Sequence, residues 1–169
     1  MRLWLLRHAK SSWDDPDIAD HDRPLAPRGE RDAAMMGAYL DREAIRPALV
    51  VCSSGLRARQ TLAGVLAGLG TEIDVRIEPG LYTFDATVLL GRLQAIPGGD
   101  VSSAMLVGHN PAIQDLTLLL AGRGSGLRDV QGKFPTCGLA EIDLPSTAWR
   151  ELSGGVGTLM RFVTRRSLD

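Results

Sequence analysis

Three short, unbroken apolar runs, each followed by a segment of helical period, constrain this chain more than any other feature. Leu3 to Leu6, Ala48 to Cys52 and Ala104 to Val107 are too short for helices and lack polar alternation. That is the pattern of strands buried on both faces of a sheet. Pro27 opens a stretch in which Ala33, Met36, Gly37 and Leu40 recur at three-four spacing, with Pro47 beyond its end. Leu56 to Leu69 carries Leu62, Val65, Leu66 and Leu69 on one face, and Ala112 to Ala121 carries Ile113, Leu116 and Leu120. Asp85 can cap a further helix bearing Val88, Leu89, Leu93 and Ile96. Asp74 to Ile77, Leu139 to Leu144 and Thr158 to Thr164 read as additional strands. The alternation predicts an α/β fold with a mainly parallel sheet and helices on both faces. Asp14 to Pro24 holds five Asp and two Pro without an apolar period and reads as a loop; the glycine-rich stretch Gly122 to Gly138 reads as a long one. With 169 residues, 44% of them apolar, residues 1–169 are expected to form a single domain with a sizeable core.

Charge narrows the function classes. The 19 Lys and Arg against 20 Asp and Glu leave a net charge of −1, without the polybasic surface that nucleic-acid binding needs. Aromatic residues, at 5%, are too sparse for a base-stacking platform. Two cysteines, Cys52 and Cys137, do not make a disulfide framework and fit a reducing compartment. The apolar run before Arg7 is too short for a signal peptide or a membrane helix, and no run of either length follows. The expectation is a cytoplasmic protein with neither a nucleic-acid nor a membrane partner.

In parallel sheets, ligands bind beyond the carboxyl ends of the strands. The first strand here ends in Arg7-His8, the second leads through Ser53 to Arg57, and the fourth reaches Gly108-His109. Two histidines and two arginines are therefore expected at one rim. Arg57 falls in the first turn of a helix, where the helix dipole opposes a cation unless the guanidinium and the helix end bind one anion together. Guanidinium groups bind phosphate bidentately and stay charged. Neutral imidazole is a competent nucleophile, and a second imidazole can stabilise the equatorial oxygens of a phosphoryl group in transfer. Two Arg and one His supply the positive field, so no metal or other cofactor is required. A zinc site from His8, His109 and Cys52 lacks zinc-type spacing.

Arg7-His8-Ala9, then Arg57-Ala58-Arg59-Gln60-Thr61, then Gly108-His109-Asn110-Pro111, resemble the histidine phosphatase (phosphoglycerate mutase-like) superfamily, and most closely its short SixA-type phosphohistidine phosphatases. Ser11-Ser12-Trp13, Asp22-Arg23-Pro24-Leu25 with Arg28-Gly29, and Lys133-Phe134-Pro135-Thr136 extend the resemblance. It implies a three-layer α/β/α sandwich around a mainly parallel mixed sheet of about six strands. It also implies His8 as the nucleophile, Arg7 and Arg57 as phosphoryl ligands and His109 as a stabilising group. Arg23, in the matching Arg-Pro-Leu segment, is a further candidate to line the site. Arg59 is expected on the exposed helix face or as a substrate contact.

Larger members of that superfamily use a carboxyl group as general acid, and here no carboxylate is marked for the task. Glu78, Asp85 and Asp14 are the candidates, with Asp85 equally suited to cap a helix. A phosphoramidate leaving group needs less acid help than an alkoxide, because the imidazolium pKa is only about 6.5. The expected activity is thus a phosphatase acting on phosphohistidine in a protein partner. The alternatives are a small-molecule phosphomonoesterase of the same fold and a phosphate-binding module without turnover. Gly126 to Lys133 is not a P-loop, since five residues rather than four precede Gly132 and Phe134 replaces the Ser or Thr. Arg123, Arg128 and Lys133 in this stretch are candidate contacts for an acidic partner, and His21 is expected to be solvated.

Overall fold

The structure is a computed structural model that describes residues 1–97, 101–145 and 148–168. Seven strands form one sheet: β1 (Arg2–Arg7), β2 (Leu49–Ser53), β3 (Asp74–Glu78), β4 (Ser103–Gly108), β5 (Ala121–Arg123), β6 (Leu139–Asp143) and β7 (Gly157–Val163), in the spatial order β3-β2-β4-β1-β6-β7-β5. The helices are α1 (Pro27–Arg42), α2 (Leu56–Leu69), α3 (Ala86–Gln94), α4 (Ala112–Leu120) and α5 (Leu127–Gly132). From β3 to β1 all neighbours are parallel, whereas β6 runs antiparallel to both β1 and β7.

Side chains on a strand alternate between faces, and β1 supplies both halves of the core. Leu3 and Leu5 pack with Leu49, Val51, Ala104 and Leu106 against Leu89, Leu93, Ile113 and Leu116 of α3 and α4. Trp4 and Leu6 pack with Val50, Cys52, Met105 and Val107 against Met36, Leu40, Leu62 and Val65 of α1 and α2. This is the expected α/β/α sandwich. Helices α1 and α2 approach so closely that a Cβ on Gly37 would fall 2.5 Å from the Val65 carbonyl oxygen.

The sheet carries one strand more than the six expected. The stretch read as a long loop, residues 122–138, contains the end of β5 and all of α5. Neither element has a local signature. The three residues of β5 exist by pairing with β7, and α5 buries one side chain, Val130, which makes no period. The remaining elements fall within a residue or two of their expected bounds. None of the described helices is long and apolar enough to cross a membrane.

Candidate active site

Because β1, β2 and β4 are parallel neighbours, their carboxyl ends share one rim, and the polar residues that end them meet there. One residue past β1, the His8 N–H donates to the Gly108 carbonyl at 2.9 Å, which sets His8 beside His109. Their ring centroids are 5.1 Å apart. Both rings are buried, with His109 only 1% exposed.

The ring of His8 is oriented by its own backbone. Nδ1 lies 2.7 Å from the Ala9 carbonyl oxygen, which can only accept, so Nδ1 carries the proton. Nε2 is then a lone pair, and it accepts from Arg57 Nε at 3.2 Å. Burial, with the positive field of His109, Arg57 and Arg7, pushes the His8 pKa down to about 3, against the opposing hydrogen bond to Ala9. The imidazole is therefore neutral and nucleophilic at pH 7.

Arg57 is placed by the residues around it. The Thr61 hydroxyl, one helical turn later, donates to the Arg57 carbonyl at 2.6 Å and accepts from the Ala9 N–H at 2.9 Å. A single side chain thus ties the first turn of α2 to the segment that orients His8, which gives the Arg-x-x-x-Thr spacing its physical reason. The other two guanidinium nitrogens turn to Asp20, Nη2 to its carboxylate at 3.0 Å and Nη1 to its carbonyl. Asp20 also receives Arg23 Nη1 at 2.8 Å and the Tyr82 hydroxyl. Those partners, Tyr82 foremost and then Arg57 and Arg23, hold the Asp20 carboxyl down at about 2. It is ionised throughout the neutral range and cannot serve as a proton donor there.

Arg23 is buried and meets the cluster at Asp20. Its Nε donates to the Ser12 carbonyl at 3.0 Å, another nitrogen reaches the Ser11 hydroxyl, and its guanidinium lies over the Trp13 ring. Arg7 donates to the Phe134 carbonyl at 2.6 Å and shares its surroundings with Arg57, whose like charge adds to burial in lowering the Arg7 pKa. His109 Nε2 sits 2.7 Å from the Ser53 hydroxyl. Burial, then Arg57, push the His109 pKa down to about 4. Gly55, which opens α2, is in close contact here: a Cβ would lie 3.2 Å from both the His109 and Tyr82 rings. Among the described residues, the buried Arg7 Nε and His109 Nδ1 have no hydrogen-bond partner. Two unpartnered nitrogens beside a neutral imidazole and two guanidinium groups suit a tetrahedral oxyanion.

None of the three candidate acids hydrogen-bonds to His8, His109 or Arg57 among the described residues. Asp85 caps α3, accepting from the Thr87 N–H at 2.7 Å. Asp14 is exposed, and Glu78 lines a separate cleft with Arg76 and Arg92. Asp20 and Tyr82 stand in no motif of the sequence. The Tyr82 ring packs edge-on against His109 at 5.2 Å and against His21 at 4.9 Å. His21 is more engaged than expected, with Nε2 3.0 Å from the Ser54 hydroxyl. Arg59 is exposed and donates to the Ser54 carbonyl. The one available signal for Asp20 was its position three residues before Arg23.

Residues 3–98 match the family described as Histidine phosphatase superfamily (branch 1). An uncharacterised protein of Mycobacterium leprae is 36% identical over 163 residues, covering 93% of this chain and 98% of that one. Phosphohistidine phosphatase SixA of Escherichia coli is 27% identical over 114 residues, 67% of this chain and 70% of that one. A solved structure of the protein histidine phosphatase SixA complexed with tungstate superposes with a TM-score of 0.80 at 25% identity, covering 100% of both chains.

Proposed function

The chain belongs to the histidine phosphatase superfamily (branch 1), and on that premise we propose that it is a metal-independent phosphatase. Its intermediate is a phosphohistidine on His8, and its substrate is phosphohistidine on a protein. The state of His8 carries the reading: a buried, neutral ring with its proton on Nδ1, fixed by the Ala9 carbonyl, and a lone pair on Nε2 beside Arg57. The SixA–tungstate complex supports it, since tungstate is a tetrahedral oxyanion like phosphate.

In the proposed reaction His8 Nε2 attacks phosphorus in line. The substrate ring enters protonated on its unphosphorylated nitrogen, the electron pair of the breaking P–N bond returns to the ring, and it leaves as a neutral histidine that keeps that proton. Arg57 Nε turns from Nε2 to a phosphoryl oxygen, and Arg7 binds a second one. If the Ser53 hydroxyl donates to His109 Nε2, the His109 proton sits on Nδ1 and meets a third. Water then attacks phosphorus, the bond to His8 Nε2 breaks, and inorganic phosphate departs with the water oxygen. Phosphohistidine is favoured as substrate because the carboxylate nearest the site, Asp20, is held ionised and offers no proton to an alkoxide.

The test is a pair of matched peptides carrying phosphohistidine or phosphoserine, assayed with and without EDTA beside His8→Ala. The phosphohistidine peptide should have the higher kcat/KM, EDTA should change nothing, and rapid quench should trap an acid-labile phosphoenzyme. A faster serine ester would overturn the substrate assignment. Full activity in His8→Ala, or an acid-stable adduct, would overturn the mechanism.

A further inference from the structure

A basic cleft of about 520 Å³ lies between the first turn of α1, helix α5 and the stretch that follows β7. Arg28, Arg128, Lys133, Arg165 and Arg166 line it, with Asp129 the one carboxylate among the described lining residues. That is five of the chain's 19 cations, in a protein whose net charge is −1. Arg28 and Arg165 both pair with the buried carboxylate of Asp32, at 3.6 and 3.0 Å. Arg128, Lys133 and Arg166 are exposed and make no ion pair with any described residue. The cleft adjoins the candidate active site. Lys133 and Pro135 line it, and the carbonyl of Phe134 between them is the acceptor of Arg7.

We propose that this cleft docks an acidic, Asp- or Glu-rich segment of the phosphorylated protein partner. The proposal rests on the reading that the substrate phosphohistidine is carried by a protein. Charge complementarity selects an anionic occupant, and the make-up of the cleft selects a polypeptide. Its cations come from three separate stretches of chain with Asp129 among them, an arrangement that penalises a compact polyphosphate. A peptide can place single carboxylates between the cations and leave a neutral residue opposite Asp129. Pro135 and the half-buried Phe162 add apolar surface for the methylene stems of such side chains. Docking there would hold a partner while its phosphohistidine reaches His8, and it would show in KM rather than kcat.

The direct probe is fluorescence anisotropy of a labelled oligoglutamate peptide and its oligoglutamine counterpart at low ionic strength, using the full chain. Wild type should prefer oligoglutamate, and the triple variant Arg128→Ser, Lys133→Ser, Arg166→Ser should bind it about tenfold more weakly or worse. Arg128→Lys with Arg166→Lys should stay within about twofold of wild type. All three positions are exposed, so folding is expected to survive, and circular dichroism checks it. A second arm compares phosphohistidine peptides followed by a glutamate or a glutamine run. The glutamate peptide should have the lower KM, the triple variant should erase that advantage, and turnover of the glutamine peptide should not change. Equal binding of the two labelled peptides by wild type, or undiminished oligoglutamate binding by the triple variant, would overturn the proposal. Tighter binding of an oligonucleotide of equal charge would overturn the choice of occupant. Failure of both phosphohistidine peptides to react would count against the phosphatase reading alone, because anisotropy reads the cleft without any chemistry.

Discussion

Acidification to pH 5 should destabilise this protein through the two histidines of its site. His8 and His109 start from an ordinary pKa of 6.5 and are held at about 3 and about 4 in the folded chain, chiefly by burial. The folded values lie below the unfolded ones, so the unfolded chain binds more protons and stability is lost as pH falls below 6.5. At pH 5 each unfolded imidazole is almost fully protonated and each folded one almost fully neutral. Each then costs RT ln(1 + 10^1.5), about 2 kcal/mol relative to pH 8, and the pair about 4 kcal/mol. The figure barely depends on the folded values as long as they stay below about 4. Against a typical stability of about 5–15 kcal/mol the loss is large. Asp20, held at about 2 against an ordinary 3.8, acts only at lower pH and lies outside this window. Urea titrations at pH 8, 6.5 and 5 would measure the loss, and His8→Asn should remove about half of it, about 2 kcal/mol. An equal loss in wild type and His8→Asn would refute the burial of a neutral His8.

Three further substitutions address the groups around His8. Arg57→Lys keeps the charge and loses the planar fork, so kcat/KM should fall about 100-fold while the urea midpoint barely moves; retention within threefold would contradict the assigned role. Thr61→Val leaves the Ala9 N–H without its partner and should cost about 1–3 kcal/mol in urea unfolding, with a fall in kcat, since Ala9 orients the His8 ring; an unchanged midpoint would count against the bridge. Asp20→Asn removes the carboxylate that competes for Arg57 and Arg23, so inorganic phosphate should inhibit about tenfold more strongly; an unchanged or weaker inhibition constant would show that Asp20 does not compete.

The framework and the centre of the site were legible because both follow from local pattern plus one topological rule. Runs such as Leu3 to Leu6 are buried on both faces and therefore uniformly apolar, and parallel strands put their carboxyl ends on one rim. Arg7, His8, Arg57 and His109 needed no more than that to be brought together. Strand β5 and helix α5 were not legible, since their stability comes from β7 and a single buried Val130 rather than from any period of their own. Asp20 was hidden for a different reason. It is one of five Asp in a loop, and only folding selects it, by bringing Tyr82 from 62 residues away onto its carboxylate. Asp85 was legible as a helix cap because capping depends on near neighbours alone.

Asp20 also explains how so much positive charge is tolerated beside His8. Arg7 and Arg57 are close enough for the charge of one to lower the pKa of the other, and a buried, uncompensated pair of that kind would oppose folding. Asp20 offsets Arg57 and Arg23 at once, but from a carboxylate that is itself 48% exposed. Its exposure matters to function, because a half-solvated carboxylate gives up an ion pair at small cost, whereas a buried one would hold the guanidinium against any competitor. A phosphoryl dianion brings more charge and more acceptor oxygens than one carboxylate, so it can take Arg57 from Asp20 while water and Tyr82 remain to solvate the released group. The arrangement stabilises the fold before substrate arrives and gives way to an anion of higher charge, which favours a phosphoryl group over the ordinary carboxylates of a protein surface.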